Sequence, residues 1–522
     1  MPHIIQQRLS SLEDNGALPL LKRIRRGIEK ESLRVQPDGL LAQSPHPTEL
    51  GSALTHPNIT TDYSEALLEF ITPVFDDIAG SLNCLDELHR FVYSQLKNEE
   101  IIWVSSMPCI LKGDMNIPVA QYGSSNVAKM KTIYRIGLGH RYGRLMQSIA
   151  GIHYNFSLPD ELWPILQSIR QVDGDTQAFK TKSYFGLIRN FRRYFWLLIY
   201  LFGSAPAVCH TFLDGRKHSL EKMGKGTLYA PYGTSLRMGN LGYQSDAQAK
   251  LVVCYNDLAT YTQTLKRAIH EPHADYEKIG VKVNGEYRQL NSSLLQIENE
   301  FYSAIRPKRV TQAGETPLRA LANRGVEYIE ARCVDVNPRH PLGIDEEQIR
   351  FIDLFLIFCL LQDSPLTNAA EYCAILANQQ SIVFSGRDPQ LRLNCNENKL
   401  SVKDWGSQII DQLQPIAALF DRIHNSATYS ATLNRQQAKL TDSNLTPSAQ
   451  LLEEISQSNE SYFRMAMQYA QQHQEYFASR PLSADILNRH KNAAAASIEK
   501  QLDIEQSDRQ SFEEYLAAYY SQ

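Results

Sequence analysis

Glu29 and Glu31 in residues 27–35, and Glu330 and Arg332 in residues 325–332, stand at alternate positions of two segments far apart in the chain. In an extended chain, residues two apart share a face. Glu29 and Glu31 therefore fall beside Leu33 and Val35, on the apolar side expected to point inward. Glu330 and Arg332 fall beside Val326, Tyr328 and Val334. Carboxylates on a buried face are costly unless something neutralises them. A divalent cation is the simplest agent when several do it together. The bland alternatives are a solvated edge strand for the first pair and a structural salt bridge for the second. His153 shares a face with Asn155 and Ser157, opposite Ile152, Tyr154 and Phe156. That polar face reads as a site wall or as the setting of a structural histidine. Asp62 and Glu69, in residues 60–73, are left open by spacing. They lie on opposite faces of a strict strand, on one face of a helix, or both inward on a bulged strand. Arg237, Arg306, Lys308 and Arg309 add basic groups, the last three readable as an exposed turn. Neither Gly-x-x-x-x-Gly-Lys-Ser/Thr nor Gly-x-Gly-x-x-Gly occurs, so any ATP has to be held through metals and arginines.

These residues need strands to carry them and helices to bury the strands. Residues 1–20 read as an amphipathic helix leading into a first strand. Leu82, Leu85, Leu88, Phe91, Val92 and Leu96 recur at helical spacing. The stretch 127–150 is expected to be helical and to run into a strand at 151–157. Residues 183–202 read as one long buried helix stopped by Gly203 and Pro206. Strand-like segments return between 280 and 336. Beyond about 345 the pattern is mostly helical, and the tail from Leu487 is strong helix former with no evident chemistry. Dispersed strands among many helices predict an α+β fold, with one sheet assembled from distant segments.

Composition narrows the function classes. The 522 residues are ample for a large core and for two or three domains. With 43% hydrophobic and 21% charged residues the chain is ordinary for a globular protein. A net charge of -4, from 53 basic and 57 acidic residues, argues against a nucleic-acid or membrane partner. Met1 to Ser10 lacks the pattern of a secretory signal, and the longest apolar runs, 195–202 and 354–361, are too short to span a bilayer. The 8 cysteines are scattered without a Cys-x-x-Cys pair, which points to reduced thiols in the cytoplasm and away from zinc.

Segments 27–35, 54–73, 121–123, 151–159, 232–243, 289–309 and 325–338, in this order and spacing, together resemble the proteobacterial class of glutamate–cysteine ligase. The resemblance is dense from about residue 22 to 350 and thins over the C-terminal third. It implies a catalytic core at 1–345 similar to that of glutamine synthetase: a curved, largely antiparallel sheet forming a funnel, surrounded by helices. A mainly helical part, 346–522, would pack on it. The implied reaction is ATP-dependent joining of the L-glutamate γ-carboxyl to the L-cysteine amine through a γ-glutamyl phosphate. The product is γ-glutamylcysteine, in the first step of glutathione synthesis. The chain leaves no room for a second ATP-grasp domain, so the bifunctional form is not expected.

By the same resemblance, Glu29, Glu31, Asp62, Glu69, His153 and Glu330 are the metal shell for two or three Mg2+ ions. Manganese would suit the histidine better. Arg332 would stabilise the transferring phosphoryl group, and Arg237 would hold glutamate or the phosphorylated intermediate. Tyr134, Arg135, Tyr243 and Tyr302 would form the cysteine pocket, and Arg306 and Lys308 would contact the nucleotide. Glutathione is the expected feedback inhibitor, and a monomer the expected state.

Overall fold

A computed structural model describes residues 2–213, 215–241 and 251–522. Its centre is a seven-stranded sheet. The strands are β1 (Arg25–Val35), β2 (Ile59–Thr61), β3 (Leu67–Ile71), β4 (Ile101–Ile102), β5 (Ile152–Ser157), β6 (Ile305–Lys308) and β7 (Tyr328–Val334). Their order is β6-β7-β5-β1-β3-β2, with β4 pairing the end of β1. Every pairing is antiparallel, so the expected α+β class and antiparallel sheet are both present.

Alternation along each strand divides the sheet into two faces. One face, with Ile28, Ile152, Tyr154, Phe156, Ile329 and Ala331, is fully buried in the main hydrophobic core. Helices α1 (Ile78–Gln95), α2 (Asn126–Tyr142), α3 (Thr176–Tyr194), α4 (Trp196–Phe202) and α5 (Glu346–Leu361) surround the sheet. The last is apolar almost all round, as a helix buried on every side has to be. Its one buried acid, Asp353 beneath the sheet, is held by Arg26 Nη2 at 2.9 Å and by the Tyr154 hydroxyl at 2.7 Å. The other face carries Glu29, Glu31, His153, Asn155, Glu330 and Arg332. Further along β1 that same face turns apolar, and Leu33 and Val35 enter a second core. The solvated-edge reading of β1 does not hold, because β1 lies between β5 and β3 and Glu31 is buried, whereas the Glu330–Arg332 salt bridge read from β7 is present.

The expected helix over 183–202 is two helices. It starts earlier, at Thr176, where the Asp175 side chain accepts from the Ala178 amide and caps the first turn. The ladder breaks at Phe195, between α3 and α4. All-round apolarity hid the join, because every position of α4 is buried and no periodicity marks a boundary. A hairpin, Arg392–Cys395 with Asn398–Ser401, interrupts the region expected to be helical, and Asn396 takes the left-handed conformation at its turn. The tail ends in a short helix, α6 (Phe512–Tyr520), closed by a capping box between Ser511 and Glu514.

Candidate active site

Register brings the site together. Glu31 lies directly opposite Glu69, Glu29 opposite His153, and Glu330 opposite both Asn155 and Arg306. A row of charged groups thus crosses five strands, from β3 to β6. The open question about Asp62 and Glu69 has a fourth answer. The segment is a tight hairpin in which Asp62 sits at the turn after β2, its amide bonded to Leu67 O at 3.0 Å, and Glu69 lies on β3. A one-residue bulge lies between Ala331 and Val334, where the register against β5 shifts. Bulges re-aim side chains, and this one falls at Arg332.

Distances within the row are short. His153 Nδ1 lies 3.2 Å from Glu29 and 3.6 Å from Glu330, while Nε2 lies 3.6 Å from Glu31. Arg332 Nη1 lies 3.2 Å from Glu330 and 3.4 Å from His153 Nδ1. Lys308 Nζ stands 3.5 Å from the other Glu330 oxygen. Asn155 donates to Glu29 at 2.7 Å, and the Gly151 amide donates to Glu31 at 2.7 Å. Gly151 has a steric reason. A Cβ there would lie 2.0 Å from Arg237 Nη2, so the guanidinium passes where any other residue would stand. Arg237 is buried, donates to Arg332 O at 2.8 Å and lies 3.7 Å from Asp335.

Ligand atoms of Glu29, Glu69 and His153 lie within 4.8 Å of one another, a spacing one cation can bridge. Electrostatics without a cation are unfavourable. Burial, reinforced by Glu29, Asp62 and Glu31, pushes the Glu69 carboxyl well above its ordinary range. Burial likewise raises Glu31, against the pull of His153. Burial acts the same way on Glu330, which is 1% exposed, yet Lys308 and Arg332 outweigh it and hold the carboxyl low. Glu29 is also held low, burial being overcome by the hydrogen bond to His153.

A cleft of about 700 Å³ opens over this row. Glu29, Asp62, Glu69, His153, Glu330 and Arg332 line it, as do Tyr134, Arg135, Arg306 and Lys308. Glu31, Arg237 and Tyr302 do not. Tyr302 sits with Arg237, both reaching the Met238 sulfur, at 3.2 and 3.3 Å. The four residues grouped as one pocket are thus divided: Tyr134 and Arg135 face the cleft, Tyr302 lies on the Arg237 side, and Tyr243 falls outside the described residues. Arg306 spends part of its guanidinium on the carbonyls of Asn299 and Phe301.

Two contributions were missed from sequence. Lys131, one helical turn before Arg135, lines the cleft, and its spacing of four was a legible signal. Tyr515, Ala518 and Tyr519 of α6 form another wall, and no local pattern could have placed them there.

The family model for glutamate-cysteine ligase matches residues 9–382. The chain belongs to the glutamate–cysteine ligase family. It is a ligase, joining glutamate to cysteine in the first step of glutathione biosynthesis. The glutamate–cysteine ligase of Alcanivorax borkumensis is 50% identical, covering 100% of both chains. That of Pseudomonas fluorescens Pf-5 is 49% identical over 99% of this chain and 97% of its own. Among solved structures, the glutamate–cysteine ligase of Francisella tularensis in complex with AMP matches with a TM-score of 0.90 and 36% identity, covering 96% of this chain and 98% of that one. A bifunctional glutathione synthetase from Pasteurella multocida matches with a TM-score of 0.74 and 25% identity, over 94% of this chain but 58% of its own. Among the described residues, no helix is long and apolar enough to cross a membrane.

Proposed function

We propose that the ligase activates glutamate with ATP at the floor of this cleft. A γ-carboxylate oxygen attacks the terminal phosphorus of ATP, the bond to ADP breaks, and γ-glutamyl phosphate forms. The cysteine amine then attacks the acyl carbon, phosphate leaves with the C–O bond pair, and the amine loses a proton to give the amide. A free carboxylate would have to expel oxide, and phosphorylation removes that obstacle. The observation that carries this reading is the charged row across the sheet, with carboxylates, a histidine and Arg332 converging under one opening.

Glu29, Glu31, Asp62, Glu69, His153 and Glu330 fit divalent cations. Their donors are mostly hard oxygens, three ligand atoms already lie within 4.8 Å, and the burial and acid repulsion that raise Glu69 are what a cation offsets. They would hold two or three Mg2+ ions, with Mn2+ better matched to the imidazole. Bound there, the ions would neutralise the phosphates during transfer. Arg332, stationed by the bulge and steadied by Glu330, faces the charge that develops on the moving phosphoryl group. Arg237, expected to hold glutamate or its phosphorylated form, lies buried behind Gly151 and outside the cleft lining, where it braces Arg332 through the Arg332 carbonyl. Tyr134 and Arg135 receive cysteine from the cleft wall, Tyr302 standing apart on the Arg237 side, while Arg306 and Lys308 attend the nucleotide.

The same reading makes the sheet a funnel of the glutamine-synthetase kind. It divides the chain into a catalytic part, 1–345, and a helical part, 346–522, packed on it. It also makes the enzyme a cytoplasmic monomer inhibited by glutathione. The test is phosphate release from Mg-ATP and glutamate, with and without cysteine, with product mass read in parallel. Cysteine-dependent release together with γ-glutamylcysteine is expected. Release with another amine only would overturn the acceptor, and none under any condition would overturn the whole reading.

A further inference from the structure

Lys131 has no role in the scheme above, and its surroundings ask for one. It lies on α2 one turn before Arg135, half-buried, on the wall of the cleft. Its ammonium sits 4.9 Å from the centre of the Tyr122 ring, and the Arg135 guanidinium 4.6 Å from the same centre. Tyr122 is pinned in turn, its hydroxyl donating to Thr61 O at 2.7 Å and lying 3.0 Å from Asp62 O. Arg135 uses Nε on the Asp62 carbonyl and Nη1 on Lys131 O, at 2.9 Å. Neither Arg135 Nη2 nor Lys131 Nζ has a hydrogen-bond or ion-pair partner among the described residues.

Like charges one helical turn apart repel, and desolvation adds to the cost. Burial, with Arg135 beside it, already pulls the Lys131 ammonium down to about 8. A pair of half-buried cations held on one aromatic platform, with unused donors toward a substrate cleft, is a site shaped for an anion.

We propose that Lys131 and Arg135 together bind an oxyanion of a substrate, a carboxylate or a phosphate, and that Lys131 is a positioning residue of the ligase. The inference rests on the cleft being the substrate site. It adds a recognition group to the cleft that Lys308 and Arg332 also line. A purely structural alternative exists, in which Lys131 only offsets the acids Glu69 and Asp62 at longer range.

The test is steady-state kinetics of Lys131→Met, Lys131→Gln and Lys131→Arg, varying ATP, glutamate and cysteine in turn. Thermal melting and Mn2+ binding without substrates accompany it. The neutral variants are expected to raise the KM of one substrate about tenfold more than they lower kcat, and Arg to recover most of that loss. A rise for cysteine or glutamate names a carboxylate as the anion, and a rise for ATP names a phosphate. Unchanged KM values, or a shift confined to Mn2+ affinity and melting, overturn the proposal in favour of the structural role. If one neutral variant melts early, the other is read. Wild-type enzyme without cysteine-dependent phosphate release would fail the functional reading itself, a result separate from insensitivity of the variants.

Discussion

At the residue scale the proposed chemistry rests on carboxyl groups placed where acids are least welcome. Glu330 is the clearest case, almost fully buried and held ionised by Lys308 and Arg332. Glu330→Gln keeps the shape and removes the charge that pairs with Arg332. The expected outcome is a cooperative melt close to wild type, weaker Mn2+ binding and a loss of kcat of at least about a hundredfold, the scale of a removed electrostatic stabiliser. Near-normal turnover would remove Glu330 from the working set. Arg135→Ala tests the amine side: the KM for cysteine is expected to rise far more than that for glutamate. Equal movement of both would mean that the acceptor sits elsewhere.

At the element scale, β5 and β7 aim what β1 alone could not. The bulge in β7 shifts the register beside Arg332, and the glycine before β5 gives Arg237 its passage. A methyl at Gly151 meets the far end of a flexible side chain rather than backbone, so the fold can yield by displacing the guanidinium. Gly151→Ala is therefore expected to melt within a few degrees of wild type while losing at least about tenfold in activity. Equal activity in both proteins, measured side by side, would show that Arg237 does not need its contact with Arg332 O. The C-terminal helix makes the same point in another way. Its Phe512 and Leu516 pack on Met130, Ile133 and Ile297 in a small separate core, which fixes Tyr515 and Tyr519 at the rim of the cleft.

For the whole molecule, the face of the sheet away from the cleft carries one buried cation without a carboxylate. Lys30 Nζ lies 2.8 Å from His89 Nε2, while His89 Nδ1 bonds Leu85 O at 2.7 Å and its ring stacks on Phe70. Burial depresses Lys30 to about 7. Below that pH both folded and unfolded chains hold the proton, and the full penalty for burying it applies. Between about 7 and the ordinary lysine value near 10.4, the unfolded chain holds more protons, so stability rises with pH. Lys30→Met is expected to stabilise the protein, more at pH 6 than at pH 9, by denaturant melts at both. A gain that grew with pH would contradict the depressed titration.

The sequence by itself determined which side chains share a face, since period-two alternation is a local property of the backbone. That was enough to gather Glu29 with Glu31, His153 with Asn155, and Glu330 with Arg332, and the ordered motifs were enough to reach the family. Only the tertiary structure decided the rest. Glu69 faces Glu31 because a hairpin folds back, the pairing of β7 with β5 shifts register next to Arg332, and Tyr519 meets the cleft from the far end of the chain. Such contacts join positions whose local patterns are independent of each other. Lys131 lies between the two cases: its spacing to Arg135 was visible, but only the Tyr122 ring and the open cleft distinguish it from a solvated lysine.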